Sequence, residues 1–147
     1  MKHFLFSTTP EWAAFVLRLI LGAVMLPHGM QKVFGSFAGY GYRATMSYFT
    51  ATMNLPWLIA FAVVIIEFVG AIALIAGFAS RVWACGLAAI MIGAIVTTNF
   101  RNGFFMNWFG TQSGEGYEYH LLVLGICIAI IILGSGRFSI DQIITTK

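Results

Sequence analysis

The chain has 147 residues, of which 60% are hydrophobic, 16% aromatic and only 9% charged, with a formal net charge of +3. Soluble domains carry about 25% charged residues, so the composition excludes a soluble globular enzyme, a disordered chain and a disulfide-stapled secreted domain. A mean hydropathy of +0.90 agrees, and what remains is an integral membrane protein in a lipid bilayer, with no basic cluster to track nucleic-acid phosphates.

Four apolar stretches reach spanning length, about 17–25 residues for a helix. They run at approximately 12–32, 57–79, 82–100 and 118–133. Trp12, Trp57 and Trp83 open the first three, and Tyr117 and Tyr119 open the last. Aromatic residues concentrate where bilayer meets water. The expected fold is all-α: a single domain, 1–147, built as an up-down bundle of four transmembrane helices.

The first stretch follows Lys2, as a signal peptide would require, but Arg18 interrupts it and no small-x-small cleavage site follows, so it reads as retained. Eight Leu, Ile, Val or Phe residues between Phe15 and Leu26 favour insertion by about 0.3–0.6 kcal/mol each. Arg18 costs about 2.5–3.5 kcal/mol at a helix centre, so it needs a partner or a route to water. Arg18, Gly22, Met25, Gly29 and Lys32 share one helix face by spacing, and that mixture of basic and small residues suits an inner face. His28 follows Pro27, whose ring removes a backbone hydrogen bond. A histidine there can bind a ligand carbonyl, pass a proton, or merely satisfy the freed backbone carbonyl.

The first long loop, 33–56, carries Tyr42, Met46, Phe49 and Met53 at helical spacing, with Arg43, Thr45 and Thr52 between them. This predicts a short amphipathic helix lying on the membrane or capping the bundle. In the second stretch, Glu67 stands mid-span among Val63, Val64, Ile65, Ile66, Phe68 and Val69. Thirteen Leu, Ile, Val or Phe residues offset its cost by roughly 4–8 kcal/mol. It reads as the ion-pair partner of Arg18, as a neutral hydrogen-bonded acid, or as a proton carrier or substrate ligand. The third stretch ends near Asn99. The fourth opens with Glu118 and His120, which point to different faces, and His120 is the one expected to face inward. Neither H-E-x-x-H nor another metal motif is present, and no ligands for haem or iron–sulfur clusters stand out, so neither a metal nor a haem is expected.

At about 1.5 Å per residue from the side bearing both termini, Arg18 lies roughly 9 Å deep, Glu67 18 Å, His120 21 Å, and His28 and Asn99 25 Å. The polar groups therefore gather mostly in the far half, side B, where both long loops lie. The terminal side carries Lys2, Arg81, Arg137 and Lys147 against Lys32, Arg43 and Arg101 on side B. That excess places the termini in the cytoplasm.

Several of these segments resemble one known family. Arg18-Leu19-Ile20-Leu21-Gly22 and Pro27-His28-Gly29-Met30-Gln31-Lys32-Val33-Phe34-Gly35 resemble the first helix of DoxX-family membrane proteins. Glu67-Phe68-Val69-Gly70-Ala71-Ile72-Ala73-Leu74, with Gly77 and Arg81, resembles their second. Glu118-Tyr119 and Gly134-Ser135-Gly136-Arg137-Phe138-Ser139-Ile140-Asp141 resemble their fourth helix and closing segment, with Ser135 where the family often has proline. The resemblance runs from about 15 to 141. By kinship with a thiosulfate:quinone oxidoreductase subunit it implies a membrane subunit of a quinone-linked oxidoreductase in a bacterial cytoplasmic (inner) membrane. On that reading His28, Lys32, Asn99 and His120 bind a quinone. Glu67 exchanges protons, Arg18 balances Glu67, and electrons come from a substrate or a partner oxidoreductase subunit. Two alternatives stand beside it: a non-catalytic scaffold that recruits a redox partner, and a small proton-coupled transporter that uses Glu67 as its relay. Gly-rich helix faces permit a homo-oligomer without demanding one.

Overall fold

The structure, a computed structural model, describes Phe6, Thr8 and residues 10–145. Lys2 and Lys147, counted above for orientation, lie outside the described residues. Among the described residues the chain is helical, with no strands. Helix α1 runs Trp12–Phe34, and α2, Gly41–Ser47, passes directly into a π-helical turn, Tyr48–Thr52. Helices α3, Trp57–Ala76, and α4, Ser80–Thr97, follow, then a 3-10 turn at Asn99–Asn102. Helix α5, Glu118–Leu133, and the short α6, Ile140–Thr145, complete the order. The helix expected in the first long loop is thus present as α2 and the π turn.

The helix ends differ from expectation by a few residues, for local reasons. Helix α3 stops at Ala76 rather than 79 because Gly77 takes φ 69°, the left-handed conformation that ends helices. Gly77 N–H donates to Leu74 O and Phe78 N–H to Ala73 O, which satisfies two of the terminal carbonyls. Three helices, α1, α3 and α4, are long and apolar enough to cross a membrane. Helix α5, with 16 residues, rises about 24 Å, short of the roughly 30 Å hydrocarbon core.

Helix α1 packs on α3, α3 on α4, α4 on α5, and α5 on α1. Leu21 and Met25, Ala71 and Leu74, Ala84, Leu87 and Met91, and Val123, Cys127 and Ile130 meet in one core. Val16, Ile20, Ile72, Ile92, Leu122 and Ile132 face outward on the same helices. Helices that are apolar on every side belong in lipid, and the chain is accordingly an integral membrane protein. A smaller cluster of Met46, Ala60 and Val64, packed by Val33, Phe49 and Phe61, docks α2 and the π turn on α1 and α3.

Close backbone approach sets the register of α1 against α3. A Cβ at Gly29 would lie 2.6 Å from Phe68 Cα and 2.8 Å from Glu67 O, and one at Gly22 would lie 2.8 Å from Ala71 O. Only glycine lets these backbones meet. Increasing numbers on α1 meet decreasing numbers on α3, so the two helices are antiparallel, with residue 29 level with 67 and 68.

Candidate functional site

That register decides where each polar side chain goes, and it corrects the expected partnership of Arg18 and Glu67. Arg18 is fully buried near the terminal side and spends all five of its N–H groups on backbone carbonyls. Nε donates to Ser135 O at 2.7 Å, Nη1 to Leu74 O and Ile75 O, and Nη2 to Arg137 O and Phe138 O. The guanidinium thus caps the C-terminal carbonyls of α3 and binds them to the segment after α5. Leu74 is two turns along α3 from Glu67, roughly 10 Å. Arg18 therefore neither balances Glu67 nor reaches the polar cluster on side B.

Asp141 completes the same knot. Its carboxylate accepts from Ala79 N at 2.8 Å, from Ser80 N at 3.3 Å and from Ser135 Oγ at 2.5 Å. Ala79 has φ 49°, and these contacts hold it there to start α4. A carboxylate that receives the first N–H groups of a helix is stabilising. The closing segment that resembles the DoxX pattern is thus a structural clasp.

The cation that meets Glu67 is Lys32, with Nζ 2.5 Å from Oε2. Its position follows from the Gly29 contact, because residues 28 to 32 of α1 are carried past Glu67. Only 6% of the Glu67 side chain is exposed, against 23% of Lys32. The pair therefore joins a buried carboxylate to a partly open ammonium.

The pair lines a cavity of about 730 Å³ in the side B half, within the usual range for small-molecule sites. His28, Lys32, Glu67, Asn99 and His120, all singled out from the sequence, lie on its wall. The His28 ring is 6.3 Å from that of Tyr119, and Tyr119 is 5.6 Å from His120. Tyr119 Oη donates toward Met25 Sδ at 3.7 Å on the cavity floor. His120 Nδ1 is buried and has no hydrogen-bond partner among the described residues. Asn99 is partly committed, since its Nδ2 donates to Glu115 O at 2.9 Å. Tyr48, Phe49 and Met53, from the π turn and its end, supply a roof. Glu118 turns away and accepts from Met106 N and Trp108 Nε1, which ties down the second loop.

Two parts of this wall were missed in the sequence. Tyr119 read only as an interfacial aromatic, yet Tyr119, Val123, Cys127 and Ile130 recur at i, i+4, i+8 and i+11, the spacing of a buried face. In the π turn Tyr48 carried no such signal and Phe49 read only as part of the loop helix, because their place over the cavity depends on where α2 docks.

A DoxX family model matches residues 13–99. The Bacillus subtilis (strain 168) protein named "Putative oxidoreductase CatD" is 27% identical over 134 residues, covering 91% of this chain and 88% of the relative. No solved structure matches significantly. Because the family model spans more than half of its 147 residues, the chain belongs to the DoxX family.

Proposed function

We propose that this DoxX protein is the membrane subunit of a quinone-linked oxidoreductase and that the side B cavity receives the quinone headgroup. One observation carries the reading: a cavity of about 730 Å³, apolar along α3 and α4, bounded on α1 and α5 by His28, Lys32, Tyr119 and His120, with Glu67 beside Lys32. The donor set fits such a ligand, because the side chains of His28, Lys32, Tyr119 and His120 on the cavity wall offer N–H and O–H groups to carbonyl oxygens. When bound, a quinone would supply reversible two-electron, two-proton chemistry. His28, Tyr119 and His120 would hold it by hydrogen bonds, and Lys32 would add a cation beside them. Glu67 exchanges protons with its partner Lys32, and Lys32, more exposed than Glu67, links it to the side B surface. Asn99 positions the loop above the cavity. Electrons come from a substrate or from a partner oxidoreductase subunit, a role in keeping with the oxidoreductase name of the Bacillus relative.

On this reading α5 is the fourth span, and the helices cross the inner membrane alternately as an up-down bundle. Drawing Lys32 into the buried pair leaves Arg43 and Arg101 as the basic residues of side B, which strengthens the case for cytoplasmic termini. The reading is tested with purified protein in lipid nanodiscs. Quinone at a hundredfold excess over Kd should stabilise it by about 2.7 kcal/mol, rising with the logarithm of quinone concentration, and Glu67→Gln, His28→Ala and His120→Ala should each weaken that protection. Absence of concentration-dependent protection across benzoquinones and naphthoquinones overturns the proposal.

A further inference from the structure

The cavity has an apolar wall that a headgroup alone does not need. Near the terminal side α3 and α4 touch closely: a Cβ at Gly70 would lie 2.8 Å from the Trp83 ring, and one at Gly86 would lie 3.2 Å from Ile66. Two turns further along α4 a Cβ at Gly93 would meet nothing within 4 Å, and Gly93, unlike Gly125 on α5, lies on the cavity wall. Ile59 and Gly93, both on the cavity wall, are exposed, as is Leu58 one residue before Ile59. In a membrane this surface faces lipid rather than water. Of the polar groups of the cavity, His28 and Lys32 stand on α1 and Tyr119 and His120 on α5, while Glu67 stands on α3 about two turns nearer the terminal side than Ile59.

We infer that the gap between α3 and α4 at Gly93 is a lateral doorway through which a lipid-soluble amphiphile enters from the bilayer, polar head toward Glu67 and His120, apolar chain along α3 and α4. The inference rests on the quinone reading and adds the route and the tail. Gly93 is then a specificity-determining position. Without a side chain it leaves room for a chain that a headgroup analogue lacks. The opening lies along the helix interior with no neighbour to clash, so a large residue there closes the doorway without disturbing the core.

The test uses full-length protein in nanodiscs, with an isoprenoid-tailed quinone and a tail-less quinone of the same ring as probes. Gly93→Phe should weaken binding of the tailed probe by roughly tenfold or more, a loss of about 1.4 kcal/mol, and leave the tail-less probe unaffected. Gly125→Phe on α5, where a Cβ also meets nothing within 4 Å, is the control and should bind both probes as the wild type does. Thermal unfolding without ligand checks that both variants fold. The doorway is overturned if Gly93→Phe binds the tailed probe normally, weakens both probes alike, or behaves like Gly125→Phe. Wild-type binding of the tail-less probe alone overturns the tail route while keeping the quinone site. Wild-type binding of neither probe overturns the quinone reading, and the doorway with it.

Discussion

Replacing Arg18 by lysine tests the claim that this buried cation holds the helix ends together and does no chemistry. Five N–H groups of Arg18 reach five carbonyls, between 2.5 and 3.0 Å. Lysine has three donors on a flexible stem, so at least two carbonyls lose that partner. Leu74 O keeps a bond from Gly77 N at 3.1 Å, but the loop carbonyls after α5 depend on the guanidinium fork. An orphaned buried acceptor costs about 1–3 kcal/mol, so two cost about 2–6 kcal/mol. That is a large share of a total stability of about 5–15 kcal/mol. Reversible unfolding in mixed micelles by titration with a denaturing detergent measures the loss. The Arg18→Lys protein that remains folded should still be protected by quinone, because the cavity lies on the other side of the core. An unfolding free energy within about 0.5 kcal/mol of wild type, as an ordinary surface substitution would give, refutes the capping role. Loss of quinone protection in the folded variant refutes the separation of clasp and site.

Gly29→Ala places a methyl group 2.6 Å from Phe68 Cα, so the α1 and α3 backbones must part. We expect destabilisation of about 1–3 kcal/mol together with weaker quinone protection, read by thermal unfolding with and without ligand. By contrast, Gly93→Ala meets no neighbour and should be neutral or stabilising by up to about 1 kcal/mol; the opposite ranking contradicts the proposed helix contact. Asp141→Asn keeps one carbonyl oxygen but loses the charge that receives Ala79 N, Ser80 N and the Ser135 hydroxyl. It should cost about 1–3 kcal/mol in the same unfolding assay without altering quinone affinity, and unchanged stability would remove the carboxylate from the clasp.

The membrane character, the three long spans, the helix in the first loop and the inward stripe Arg18, Gly22, Met25, Gly29 were legible in the residues. Each follows from a local rule: an apolar run long enough for a bilayer, helical spacing of apolar side chains, or the cost of a charge facing lipid. Counting the rise along each helix put Glu67, His28, Lys32, Asn99 and His120 mostly in the side B half, and the structure places all five on one cavity. What spacing along the chain does not contain is the rotation and offset of one helix against another. Arg18 and Lys32 lie on the same face of α1, and either one satisfies the requirement that a buried Glu67 find a cation. The offset was decided by the close seat of Gly29 on Glu67 and Phe68, which brings Lys32 to the carboxylate and leaves Arg18 beside the carbonyls of Leu74 and Ile75. The roof of the cavity and the gap at Gly93 are likewise tertiary. They arise where the π turn docks and where the Gly93 side of α4 meets no neighbour, and both depend on packing between segments far apart in the sequence.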